Sequence, residues 1–368
     1  MKSHIASLAG ALVSLTLASC GGSAATTGGS ASAAASQPAG SLAQIVDAAN
    51  KEGSVVIWGQ YPLDSDVPKV QEAFNVRFKT NIKIQTVSIS APEAQTRMMA
   101  EAQGNRFDWD VFPNFGSESL PDLTDRGILA KVDWAPFQKE LPDVSDAAGA
   151  VPAEFKGGAL NFYDGGYGFF FNRDQMKAAD MPKQWTDLAD PKYRGKFAAS
   201  SFGYPFNYLS VSPDWGPTKT EQLVRQVAAN KPLLQGSASQ LVDIVSRGEV
   251  PMGVSDFASI LDGIGKSKPI QAVVPDVVPG DHRYTVIAAK APHPNAARLY
   301  AAWEVSEGMK VYLELRQASR FSSPTSPVAT LIKQSNPAAK IVYPASLADI
   351  KAQAAFLKPA AGILTGTN

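Results

Sequence analysis

The chain has 368 residues with 34 basic and 34 acidic side chains, and its charge shows no polybasic run. That balance excludes the electrostatic footprint of a nucleic-acid binder. A single cysteine, Cys20, excludes an intrachain disulfide, and past the first twenty residues no segment approaches the ~20 apolar residues of a membrane-spanning helix.

In chain order, Lys2 precedes an apolar stretch from Ile5 to Leu17, which ends in Leu17-Ala18-Ser19-Cys20. A charged start, a short apolar middle and a small-residue cleavage point predict a secretory signal over residues 1–19. The last four residues resemble the bacterial lipobox, whose cysteine is lipidated and becomes the first mature residue. An ordinary signal peptide with an incidental cysteine is the alternative. Gly21 stands where an aspartate would resemble the inner-membrane retention signal, so which membrane would carry the anchor stays open. Residues 20–40, mostly Ser, Ala, Gly and Thr, have too little apolar surface to order themselves and are expected to form a flexible leash. The remaining residues, 41–368, suffice for a sizeable core divided into two lobes.

The folded part opens with a helix: Ser41 and Gln44 fit a capping box, Leu42, Ile45, Val46 and Ala49 form one face, and Gly53 supplies the stop. Residues 55–58 are a buried-strand run, a helix follows from Val67, and a strand is expected over 81–89, a helix over 92–103 and a short strand over 109–112. Strand alternating with helix is the pattern of an open, mainly parallel sheet, with ligands beyond the strand ends. The stretch 161–172 reads as a strand pair or a bend crossing between lobes. Further strands are expected at 196–200, 250–254, 270–274 and 284–289, with helices over 219–229 and 240–247. Pro294 opens a long helix whose face runs to Met309 and Leu313, and a last helix lies around 347–356.

Four segments carry a family likeness. Residues 42–58 resemble the opening helix and strand of extracellular solute-binding proteins of ABC importers, and Asp108-Trp-Asp-Val-Phe-Pro resembles their third strand. Gln184-Trp-Thr-Asp-Leu-Ala-Asp-Pro-Lys-Tyr-Arg-Gly-Lys-Phe is similar to their Trp-x-x-Leu-x-Asp-Pro-x-x-x-Gly-Lys segment, and Ala291-Pro-His-Pro-Asn-Ala-Ala-Arg-Leu to the start of a late helix. The subgroup most resembled includes ferric-ion, polyamine and phosphonate binders. The resemblance implies a two-lobed α/β fold of the type II periplasmic-binding-protein kind, each lobe an open, mainly parallel sheet with flanking helices. The lobes would comprise 41–160 plus 284–320, and 161–283 plus 321–368, with hinges near 159–163 and 275–283. It further implies a monomer without cofactor, tethered in the cell envelope through Cys20, handing a small-molecule solute to an ABC permease and ATPase. A sensor-type solute binder and an anion-assisted ferric-ion binder are the alternatives.

The expected ligand contacts come from loops after strands in both lobes. They are Gln60, Tyr61, Asp64, Asn114, Phe115 and Ser117 from the first, and Ser201, Phe202, Tyr204, Ser255 and Asp256 from the second, with Tyr163 and Tyr284 near the crossings. Amides and hydroxyls fix orientation, aromatic rings supply flat contact area, and a carboxylate favours a cationic group. Competing readings stand beside these: Asp64 or Asp66 as a helix cap, Phe115 and Phe257 as packing residues, and Tyr167 as core or turn. No protein-held metal site is expected. Iron binders of the subgroup show adjacent tyrosines, and this chain has no Tyr-Tyr pair; after the late helix it reads Arg320-Phe321-Ser322-Ser323-Pro324. No His-Glu-x-x-His, phosphate-binding loop or Gly-x-Ser-x-Gly elbow is present, and His282 and His293 are the histidines beyond the leader, so no enzyme class is indicated.

Overall fold

A computed structural model describes residues 40–367, apart from Gln60, Gln317, Ala318 and Pro324. Cys20, the signal and the leash therefore lie outside the described residues. Among the described residues ten strands form the framework: β1 Ser54–Trp58, β2 Lys83–Val87, β3 Val111–Gly116, β4 Ala159–Asn172, β5 Phe197–Ser200, β6 Leu233–Gln235, β7 Met252–Asp256, β8 Ile270–Val273, β9 Val277–Ile287 and β10 Lys340–Val342. Their order is β2-β1-β3-β9-β4-β7-β5-β6, with β10 beside β9 and β8 beside β4.

The first lobe forms as its sequence dictates. Ser41 and Gln44 close the capping box of the helix Leu42–Glu52, and Gly53 ends it at φ 69°, where only glycine is unstrained. Parallel β1, β2 and β3 need crossover helices, and Val67–Phe78 and Ala91–Gln103 supply them. Buried Leu42, Ile45, Phe74, Tyr300 and Trp303 share one core on this side, while Trp58, Trp109, Phe112 and Phe115 build another. In the second lobe β5 runs parallel to β6 and β7. Trp185, Phe169 and Phe206 centre its core, and Trp185 Nε1 donates to the Val277 carbonyl at 2.7 Å.

Two long strands join the lobes. β4 pairs antiparallel with β9 from Ala159 opposite Val286 to Gly166 opposite Gly280, then turns its edge to β7 from Tyr167 onward. The stretch 161–172 is therefore one continuous crossing strand, with an irregularity between Asn161 and Tyr163. β9 begins at Val277, well before the expected residue 284, because its polar centre pairs across the sheet with polar residues of β4. Close approach is built in: a Cβ on Gly280 would stand 2.5 Å from the Gly165 carbonyl oxygen.

Other elements differ from expectation: β7 runs over Met252–Asp256 rather than 250–254, and β6, β10 and the helices Phe257–Gly265 and Pro327–Ser335 lie outside the expected elements. β3 is shifted to Val111–Gly116. The late helix divides into Pro294–Glu304 and Met309–Arg316, since Gly308 folds back on Trp303, its N–H donating to that carbonyl at 2.8 Å. The last helix runs to Thr365 and packs on both lobes: Ile350 joins the Trp109 core and Leu364 the Trp185 core. No described helix is long and apolar enough to cross a membrane.

Candidate ligand-binding cleft

The cleft is a cavity of about 900 Å3 where the strand ends of both lobes meet the β4–β9 crossing. Tyr61 reaches it from the loop after β1 and Asn114 from β3. Asn114 adopts φ 60°, at the register shift between Phe112 and Phe115, and its buried Oδ1 has no hydrogen-bond partner. A non-glycine residue held in the left-handed region inside a strand is strained, and such strain is concentrated at functional positions. From the second lobe come Ser200 and Tyr204 at the end of β5, and Ser255 and Asp256 at the end of β7. Ser255 Oγ is also buried and unpartnered.

The crossing supplies charge. Asp281 and Arg283, two apart on β9 and so on one face, form an ion pair through Arg283 Nε, and Tyr208 donates its hydroxyl to Asp281 Oδ2 at 3.1 Å. Burial is the largest single influence and works against the Arg283 charge, but Asp281, Tyr208, Tyr163 and Glu118 together outweigh it and hold the guanidinium pKa well above its ordinary value. The ion pair occupies the Nε side of the guanidinium, and Arg283 itself lines the cavity. At the rim, Lys266 pairs with Asp262 at 2.7 Å and Lys268 with Asp243, so those charges cancel locally.

Aromatic rings wall both sides. Tyr204 stacks near Tyr208 at 5.7 Å and Tyr167 at 6.4 Å, while Tyr61 packs against Phe162 and Tyr312. Burial drives the Tyr163, Tyr167, Tyr204 and Tyr208 phenols upward, so they are neutral hydroxyls at physiological pH. Burial also raises the Asp256 carboxyl, opposed by the N–H and Oγ–H of Ser259. Asp256 thereby caps the helix Phe257–Gly265 and faces the cavity as well.

Of the residues singled out from sequence, Tyr61, Asn114, Tyr163, Tyr204, Ser255 and Asp256 line the cavity, and Asp64, Phe115, Ser117, Ser201, Phe202 and Tyr284 do not. Gln60 lies outside the described residues. Asp64 is exposed and accepts from Thr86 Oγ1 at 2.7 Å; neither it nor Asp66 makes a side-chain cap bond to the helix from Val67. Phe115 is wholly buried, edge-on to Phe112 at 5.1 Å, because the register shift at Asn114 turns it to the same core as Phe112. Ser117 is buried against Gln353, and Tyr284 belongs to the core with Trp109 and Phe112. Ser201 continues the β5 pairing through its N–H to the Gln235 carbonyl, and Phe202 is turned outward. Sequence reasoning missed Asp281, Arg283 and Tyr208 and took Tyr167 for core or turn. The available signal was two opposite charges, spaced two apart, at the polar centre of the run 277–287, whose ends are apolar. Among the described residues no group of three or more His, Cys, Asp or Glu side chains is placed to hold a metal.

Comparison with known proteins agrees with this architecture. Residues 62–311 match the family model described as bacterial extracellular solute-binding protein. Iron-bound HitA from Pseudomonas aeruginosa superposes with TM-score 0.63 at 17% identity, covering 86% of this chain and 99% of its own. Apo ferric ion-binding protein A from Pasteurella haemolytica gives 0.65 at 16%, covering 86% and 98%. An ABC transporter substrate-binding protein from Bradyrhizobium japonicum USDA 110 gives 0.66 at 15%, covering 85% and 99%. At such identities these structures speak for the fold alone. A search of curated protein sequences finds no match. With two thirds of its length covered by the family model and the fold to match, the chain belongs to the bacterial extracellular solute-binding proteins.

Proposed function

We propose that the cleft captures a small polar organic solute bearing an oxyanion, and that the lobes close over it about the β4–β9 crossing before it passes to an ABC permease and its ATPase. The carrying observation is Arg283. Asp281 fixes it through Nε, and its two terminal amino groups make no hydrogen bond to a described residue. A guanidinium anchored at one edge presents the other as a preorganised fork for a carboxylate or phosphonate. Unpartnered Asn114 Oδ1 and Ser255 Oγ are further polar contacts, from opposite walls, and the tyrosine faces accept the solute's flat or apolar body. Closure strips water from these groups and completes the contacts from both sides. Lipidation at Cys20, with residues 20–40 as leash, would keep the domain beside its permease.

A thermal-shift panel on the mature chain, stripped of carried solute by partial unfolding, tests this reading. Carboxylates, phosphonates, polyamines, sugars and small aromatic acids form the panel. A solute at a hundred times its Kd adds about 2.7 kcal/mol and moves the midpoint by several degrees. The expected hit is an organic oxyanion whose shift disappears in Arg283→Met. Shifts given by polyamines or sugars and kept in Arg283→Met would refute the oxyanion reading.

A second reading has one observation in its favour: Tyr61, Tyr163, Tyr167 and Tyr204 all face one cavity that also holds a cation able to bind a small anion. Ferric ion held by deprotonated phenols together with that anion fits the iron-bound neighbour's printed ligand. Visible absorption from phenolate-to-iron charge transfer on adding ferric citrate would establish it, and a colourless titration would remove it.

A further inference from the structure

The helix Leu347–Thr365 is firmly bounded, by a capping box of Ser346 and Asp349 and by Gly366 at φ 72°. Its first turns dock on the first lobe. Leu347 and Ile350 join the core of Trp109 and Phe115, and wholly buried Gln353 donates from Nε2 to Ser117 Oγ at 2.7 Å. Ser117 stands three residues after Asn114 of the cleft wall. Its last turns dock on the second lobe, where Phe356, Ala360 and Leu364 pack with Phe206 and Leu209. There Gly203, at φ +85°, lies against the helix backbone: a Cβ would meet the Leu357 carbonyl oxygen and Ala360 Cβ, each at 3.0 Å. Gly203 is flanked by Phe202 and Tyr204, so the helix touches the loop that carries the Tyr204 ring into the cleft. Pro359 sits inside the helix, between the Gln353 contact and the final turn.

We propose that this helix braces both walls of the cleft and sets their separation, with Gln353 and Gly203 as positioning residues. The proposal rests on the reading of the cleft as one that closes. A helix docked at both ends cannot follow two walls that rotate apart or together; one dock has to yield. The buried Gln353 amide finds its acceptor only while Ser117 keeps its present place, so that bond holds the walls at the spacing seen, with the cavity open to solvent. Weakening either dock releases the walls toward the alternative arrangement.

The test measures wall separation directly. Nitroxides at Leu63→Cys, which lines the cavity after β1, and at Phe202→Cys, whose ring lies beside the cavity-lining Gly236 after β5, are both exposed and report the distance in the full chain carrying Cys20→Ser. Ser117→Ala and Gln353→Leu each should raise the short-distance population about fivefold or more over the parent. Phe356→Ala, which trims the second dock and leaves Ser117 untouched, should do the same, and it serves if a buried polar variant fails to fold. A lowered melting temperature with an unchanged distance distribution would reduce the helix to a merely structural part and overturn the proposal. The parent with a solute hit from the thermal panel is scored separately. If its lips never approach, closure itself fails; if they do and all variants match the parent, only the brace fails.

Discussion

The lobe cores and the seam between them are built on opposite chemistry. The cores are apolar: Trp58, Trp109, Trp185, Phe74 and Phe169 are buried among aromatic and aliphatic neighbours, most of them on strands and helices whose apolar periodicity gives them away. The seam, where β4 pairs with β9, is also buried but polar. Asp164 accepts from Asn161 Nδ2 at 2.8 Å and from His282 Nδ1 at 2.7 Å, and Asp281 pairs with Arg283. Buried charge contributes little net stability when paired and costs heavily when stranded. A protein that needed only a stable sheet would fill this crossing with Val and Ile. On the proposed reading, the seam trades stability for a place where two lobes can turn and a solute can be read.

Variants can break that contrast, and the largest effect is expected at its centre. Arg283→Met strands the Asp281 carboxylate in the seam and should cost about 3–5 kcal/mol in urea unfolding, with solute binding abolished. A loss no larger than that of an exposed residue would mean the seam is wetter than its burial implies. Next comes Glu304, buried beside the seam with Thr285 Oγ1 donating to it at 2.6 Å, its carboxyl pushed by burial up to about 8. The folded state therefore holds a proton that the unfolded chain has released by neutral pH. The stability linked to that proton is fully present below the usual glutamate range and is lost as pH rises through about 8. Glu304→Gln should flatten this decline in melting temperature between pH 5 and 8.5, roughly a few kcal/mol in scale. A slope equal to the parent's would reassign the decline elsewhere.

Gly280→Ala sharpens the comparison by adding one methyl where the strands touch. Forcing β9 off β4 should cost about 1–3 kcal/mol, visible as a lower unfolding midpoint. An unchanged midpoint would show that the crossing has room to spare. The smallest effect is expected outside both regions: Ser201→Ala should leave stability within about 0.5 kcal/mol and solute affinity unchanged. Weakened binding would return Ser201 to the site.

The same contrast explains what was legible in the sequence. Ser41 with Gln44, the buried run 55–58 and the helix opened by Pro294 follow from local capping and periodicity, which act within a few residues. Tyr61, Asn114, Tyr204 and Asp256 were reachable because strand-end loops face the cleft by rule. Arg283 was not, since its role depends on Asp281 beside it and on β4, more than a hundred residues earlier, paired across from it. Phe115 and Ser117 misled for a related reason: they follow a strand end in sequence, yet the shift at Asn114 and the distant Gln353 turn them inward. Pairings of high sequence separation decide the seam, and a single sequence does not display them.

The most direct test of the central claim is a crystal structure of the chain with the first oxyanion solute that raises its melting temperature. The solute's oxyanion is expected on the two terminal amino groups of Arg283, with its body between the Tyr61–Tyr163 side and the Tyr204 ring. A solute seated outside the cleft, or held by one wall with Arg283 left uncontacted, would contradict that claim.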